Sequence, residues 1–161
     1  MRKQSTGRAT SALTLALIFT GGMMMGCSGK RPGSIGVKDG RLAPCPSTPN
    51  CVSTRSEDPR HAIAPLRFSG PTAEARVRPL GALGGMKRCR MVTVGDSCIH
   101  AEFTSALFRF VDDVEFQIDA ESGLIHFRSA SRLGHSDLGV NRKRMESIRM
   151  AFEKSAGSKL P

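Results

Sequence analysis

The chain has 161 residues, with 24 Lys and Arg against 14 Asp and Glu, for a formal net charge of +10. A basic surplus invites a nucleic-acid reading, but Trp and Tyr are absent and the Arg-rich stretches lack the interleaved aromatics of a base-stacking surface. Nucleic acid is therefore set aside as a partner, and the length allows one domain with a tether.

The N-terminus reads as an export signal. Arg2, Lys3 and Arg8 form a basic start, an apolar run of fourteen residues follows from Ala12 to Met25, and Gly26 precedes Cys27. That run is shorter than the ~20 residues a membrane-spanning helix needs and matches the order of a secretory signal. A Cys directly after the small residue resembles a bacterial lipoprotein signal, in which it is acylated and becomes the new N-terminus. Met24 stands where Leu is commoner, and the alternative is an ordinary signal with an incidental Cys27. The resemblance implies a bacterial cell-envelope protein, held to the membrane through a lipid on Cys27 and facing the periplasm or exterior. Cleavage after residue 26 would remove three bases and no acid, taking the net charge from +10 to +7. Anionic lipid head groups, acidic glycans and acidic proteins suit such a charge. Solubility alone is the other use.

Residues 27–66 are rich in Gly, Pro and Ser without apolar period, and read as a tether ending in a cysteine-stapled turn. Cys45 and Cys51 bracket Pro46-Ser47-Thr48-Pro49-Asn50, a turn-prone loop able to bring them within bridging distance. Two free thiols are the alternative. Neither the Cys spacing nor His61, His100, His126 and His135 reproduces a metal-ligand motif, so no metal and no cofactor are expected.

Residues 67–155 form the expected domain, with 156–161 as a flexible tail. Over 71–85, Pro71 suits a helix start and Ala73, Val77 and Leu80 share a face. Pro79, Gly81, Gly84 and Gly85 predict a short or broken helix. From Cys89 the period becomes two. Arg90–Val94 and Ser97–Phe103 flank Gly95-Asp96, a hairpin signal that sets Thr93 opposite Cys98 and Cys89 opposite Glu102. In that register the thiols of Cys89 and Cys98 share a face but lie about 13 Å apart, at roughly 3.3 Å per residue. Val114, Phe116 and Ile118 alternate with Glu115, Gln117 and Asp119, which predicts a strand with one wet face. Ala120–Gly123 turns into a strand over Leu124–Ser129. A closing helix is predicted from Asn141, as N-cap, to Lys154, with Met145, Ile148 and Phe152 as a core stripe. The fold class is α+β: a small antiparallel sheet with the C-terminal helix, and a short or broken N-terminal one, on one face.

Three segments carry a family resemblance: Cys45–Ser53, His100-Ala101-Glu102 through Phe110–Phe116, and Arg128–Arg132 with Gly134, Ser136–Arg142 and Arg144. Together, over roughly Pro44 to Phe152, they resemble the domain-of-unknown-function family numbered 1499, found in bacterial envelope lipoproteins, membrane proteins and plant plastids. Cys98, where relatives usually carry an aromatic residue, and the Gly and Pro of the first helix depart from that pattern. The resemblance implies a fold and a location but no activity.

Three residue groups have the chemistry for a site. Gly134-His135-Ser136-Asp137-Leu138-Gly139 approaches the G-x-S-x-G elbow, but Leu138 replaces the second Gly and no His follows Ser136. No catalytic residue is assigned there. Asp112-Asp113 with Glu115 is either an acid/base or cation site, or a set of partners for Arg128 and Arg132. The latter is favoured, because six acids between Glu102 and Glu121 are followed by seven bases between Arg128 and Lys154. Arg128, Ser129, Ser131, Arg132, Ser136, Asn141, Arg142 and Arg144 precede or open the last helix. They read as an anion-binding cluster or as a structural ion-pair set. The leading expectation is a non-enzymatic domain for an anionic ligand or envelope protein partner. The rival is an enzyme acting on a phosphorylated or carboxylated envelope metabolite at the Arg128–Arg144 loop.

Overall fold

The computed structural model describes residues 28–157, and side chains through Ser155. Cys27 and the signal-like segment lie outside the described residues, as do residues 158–161. The fold is α+β: strands β1 (Cys51–Ser53), β2 (Leu66–Arg67), β3 (Cys89–Val94), β4 (Cys98–Thr104), β5 (Val111–Asp119) and β6 (Leu124–Ser131), with helices α1 (Thr72–Gly84) and α2 (Val140–Gly157). The sheet is antiparallel in the order β1-β6-β5-β4-β3, and β2 also pairs with β6. Among the described residues no helix is long and apolar enough to cross a membrane.

Strand alternation divides the sheet into two faces of opposite character. Ile99, Ala101 and Phe103 of β4, Val114, Phe116 and Ile118 of β5, and Ile125 and Phe127 of β6 point to one side. The two helices cover them with Ala75, Ala82, Leu83, Met145, Ile148 and Phe152, and all are buried. Phe116 and Phe127 are direct cross-strand partners with ring centroids 6.1 Å apart, the aromatic pairing that stabilises adjacent strands. The stripe of α2 is core packing, as its spacing predicts.

The first helix is longer and turned differently from expectation. It runs thirteen residues and buries Ala75, Pro79, Ala82 and Leu83, while Val77 faces solvent. Pro79 cannot donate to the carbonyl of Ala75, and the helix continues because that ring packs inward on the same face. Helix α2 begins one residue before Asn141 and extends past Lys154. Its opening is capped by Asp137, not Asn141: the Asp137 carboxylate accepts from the backbone N–H of Gly139 (3.0 Å) and Asn141 (2.7 Å).

The β3–β4 register also differs. Val94 faces Ile99, Thr93 faces His100 and Cys89 faces Phe103, with an irregularity between Met91 and Thr93. The turn holds four residues, closed by Gly95 N–H donating to the Cys98 carbonyl at 2.8 Å, and the extra residue near Val92 inverts the facing of everything before it. Cys89 therefore lies on the helix side and Cys98 on the other, and both thiols are free. Cys45 and Cys51 are joined by a disulfide.

The polar side of β5 is not wet. Asp113, Glu115 and Gln117 are buried, because residues 29–42, part of the stretch expected to be tether, lie across them. Asp39 and Gly40 both have positive φ (49° and 72°) in a turn closed by reciprocal Lys38–Arg41 backbone bonds. That turn aims the Gly40 carbonyl at Gln117 Nε2, 2.6 Å away. Gly36 N–H donates to Glu115 at 2.6 Å, and Arg31 donates to Glu102 at 2.6 Å. We call this segment the strap.

Replacing Ile148 by Ala removes a fully buried side chain from the centre of α2 and should cost about 2–5 kcal/mol. Met150→Ala, on the exposed side of the same helix, should stay within about 0.5 kcal/mol of wild type. Urea unfolding of the two variants checks both values, and similar losses would mean the helix is turned otherwise.

Candidate functional site

The candidate residues gather at one end of the sheet, where β4 and β6 end and β5 and α2 begin. Alternation splits the Asp112-Asp113 pair between the two faces. Asp113, on the strap side, accepts from Arg132 Nε (2.8 Å) and Nη2 (2.7 Å) and lies 2.8 Å from His100 Nε2. Arg132 Nη2 also donates to Glu102 (2.6 Å), which accepts from Arg31 and Arg90 as well. Further along, Glu115 and Arg128 are direct cross-strand partners with a 3.0 Å bond. The side chains of Arg132, Glu102, Asp113, Arg128 and Glu115 are all less than a tenth exposed.

On the helix side, Asp112 accepts from Arg144 at 2.5 Å. Arg144 also donates to the Asn141 side-chain oxygen (2.6 Å) and to Ser129 Oγ (3.2 Å). Asn141, fully buried, accepts from Ser129 Oγ (2.5 Å) and donates to the Asn50 carbonyl (3.0 Å) and to Ser131 Oγ (3.0 Å). These bonds tie the start of α2 to β6 and to the loop before β1. Arg142 donates to the carbonyls of Ala62 and Arg60, and Ser136 Oγ accepts from Leu138 N–H at 3.2 Å within its own turn. All eight residues of the cluster thus bond to their own chain.

Charges follow from this geometry. Burial alone would raise the Glu102 carboxyl, but hydrogen bonds from Arg31, Arg132 and Arg90, with the charge of Arg132, outweigh it and hold it at about 2. Burial acts the same way on Asp113, and the bonds from Arg132 and His100 bring its net shift below the usual carboxylate range. Bonding to Asp113, set against burial and aided by Glu102, raises Arg132 above the ordinary guanidinium value. Elsewhere burial, reinforced by the charge of Glu115, pushes the Cys98 thiol up.

His100, Glu102 and Asp113 place three ligand-type atoms within 4.8 Å of one another, a grouping that no sequence spacing announces. The two carboxylates are already committed to Arg31, Arg90 and Arg132, and His100 Nε2 to Asp113. A divalent ion there would sit against those guanidinium groups, so the set does not suit a metal. Sequence reasoning named Glu115 as a possible partner of the loop arginines and missed Arg31, Arg90, His100 and Glu102 as members of the network. The signal for Glu102 and Glu115 lay in strand alternation, which sets each beside a cross-strand cation or His. Nothing local marks Arg31, seventy-one residues from its partner.

Arg132→Ala should cost about 3–5 kcal/mol, because it strands buried carboxylates. Acid should act on the same network. A carboxyl with a folded pKa of about 2, against an ordinary 4.5, contributes stability that is present above the ordinary value and lost as pH falls toward 2. Denaturant melts from pH 6 to 2 should therefore show a steeper acid loss in wild type than in Glu102→Gln, which should also be less stable at pH 6. Parallel curves would mean Glu102 is not held by its arginines.

The family described as protein of unknown function (DUF1499) matches residues 41–152. A comparison with curated proteins finds no match. The β1 turn, the acidic strands and the arginine-bearing loop described above all fall inside the matched region, and the chain belongs to the DUF1499 family.

Proposed function

We propose that this chain is a bacterial envelope lipoprotein, anchored through acylated Cys27, whose folded domain is a non-enzymatic binding or structural module. The observation that carries the non-enzymatic reading is the engagement of the arginine cluster. Arg128, Arg132 and Arg144 face Glu115, Asp113 with Glu102, and Asp112, while Arg142 faces two backbone carbonyls. An enzyme handling a phosphorylated or carboxylated metabolite needs such donors aimed at an open site. Here they are aimed at the protein.

A depression of about 610 Å³ beside β2, lined by Arg78, Arg149 and Phe152, offers no better site. Arg78 donates to the Phe152 carbonyl and Arg149 to those of Pro65 and Ala64. For a partner met by the surface of the domain, the +7 balance left after cleavage favours an acidic protein or an anionic head group. The anchor rests on the order of charged, apolar and small residues before Cys27.

Triton X-114 partition tests the anchor. The exported wild type should enter the detergent phase and Cys27→Ser should not, whereas a wild type left in the aqueous phase would refute the lipid. Thermal melts test the domain. Phosphate and chloride at equal ionic strength should give the same melting temperature, and a phosphate-specific rise would restore an anion site.

A further inference from the structure

The end of the sheet that carries the arginine network also carries an exposed apolar rim. In the β4–β5 loop Leu107 is 76% and Phe108 64% exposed, with the Phe108 and Phe110 rings stacked 5.6 Å apart. Leu133 and Val140 are exposed beside them, and Leu138 is 86% exposed at a φ of +54°. A Leu in the left-handed region, with its side chain in water, contributes no packing to its own domain and meets a backbone preference better suited to Gly or Asn. Ser105 N–H donates to the Phe110 carbonyl and closes the β4–β5 loop, and Arg132 N–H donates to the Val111 carbonyl, which sets the start of the β6–α2 loop beside the end of that one.

Bases outnumber acids around the rim, where the carboxylate of Asp137 is turned onto the amides of Gly139 and Asn141. Lys87, Arg88, Arg109 and Lys143 are exposed there, and none has a carboxylate partner among the described residues. The turns at the opposite end hold Asp96, Asp119 and Glu121 instead. Apolar tips surrounded by bases are the composition of a surface that enters the head-group layer of an anionic bilayer.

The course of the chain supplies the independent argument. Gly29 packs on the Arg132 and Leu133 side chains, so close that a Cβ on it would lie 2.9 Å from Arg132 Cβ. Cys27 is two residues earlier and can reach no more than ~7 Å from Gly29, at about 3.6 Å per residue. A lipid on Cys27 would therefore hold this end of the domain, and no other, at the bilayer.

We infer that the Leu107–Phe110 loop, with Leu133 and Leu138, docks into an anionic lipid surface and fixes the domain upright on its anchor. This rests on the lipoprotein reading above for the position of Cys27. The chain has no Trp, so Phe108→Trp adds a single indole at an exposed position, and Met150→Trp adds one on the far part of α2. The full acylated chain carrying each substitution is reconstituted in phosphatidylethanolamine vesicles with a quarter phosphatidylglycerol. Emission is then read with and without lipids brominated in the acyl chain. The Phe108→Trp emission should be blue-shifted and quenched at least threefold more than that of Met150→Trp, and replacing phosphatidylglycerol by phosphatidylcholine should reduce the difference. A chain that sediments with vesicles but shows equal quenching in both variants overturns the docking and leaves the anchor standing. A chain that does not sediment overturns the anchor, and quenching at a tenfold higher lipid concentration then decides the docking by itself. A blue shift that grows with protein concentration and ignores bromine would mean that a second copy, not lipid, covers the rim, and would overturn the inference.

Discussion

Arg132 is the interaction on which the rest of the structure depends. Its guanidinium lies between Asp113 of β5 and Glu102 of β4, and its backbone N–H continues the pairing of β6 with the start of β5. Three strands therefore converge on one residue. Glu102 extends the link to Arg31, so the strap across the polar face is held by the same carboxylate that positions the sheet. Burying this many charges costs several kcal/mol of desolvation per ion, and the ion pairs recover it only because almost every donor and acceptor finds a partner. The Nε of Arg128 is a buried exception. Such a network adds less to net stability than to uniqueness: a slip of one residue in β5 would turn its apolar set onto the strap and separate Glu115 from Arg128 and Asp113 from Arg132 together.

The two faces solve the same packing problem with different chemistry. The helix face is a conventional core of aliphatic and aromatic side chains, with Asn141, Ser129 and Arg144 forming a polar tie at its upper end. The strap face has few apolar residues to bury, so its closure depends on hydrogen bonds from the backbone at Gly36 and Gly40 and on the Arg31 pair. An irregular segment can cover a sheet in this way only if the sheet offers it ionic and amide partners. Glu115 and Gln117 are those partners.

This division explains what was legible in the sequence. The apolar half was plain: Val114, Phe116 and Ile118 at period two, and Met145, Ile148 and Phe152 at helical spacing, both lie where their periods put them. The α+β class and the family followed from those elements and from the segments around them. The polar half was misread as wet, because alternation reports only that a face is not apolar. Whether water or a strap covers Glu115 depends on contacts with residues far away in sequence, such as Gly36, seventy-nine positions earlier. A Gly, Pro and Ser-rich segment looks like a tether for the same reason: its partners are not local. The hairpin register failed at one irregular residue between Met91 and Thr93, and the helix cap failed because Asp137 reaches the amides first. In the candidate cluster the residues could be named, but not the direction in which their donors point. Only the fold decides whether an arginine waits for a ligand or faces Asp113.

Because the strap is latched at Arg31, the course of residues 29–42 is set by their partners on the sheet rather than by the count of Gly and Pro residues. Of the segment read as a tether ending in a stapled turn, residues 29–42 lie on the sheet through Arg31, Gly36 and Gly40, and Cys51–Ser53 and Leu66–Arg67 pair with β6. Loosening Glu102 or Arg31 would release the chain at the N-terminal side of the strap from the polar face of the sheet. The buried carboxylates that take the arginines away from any free anion therefore do something further for the molecule. They fix an irregular Gly- and Pro-rich segment on the sheet and bring its start, at Gly29, to the same end of the domain as the apolar tips at Phe108 and Leu138.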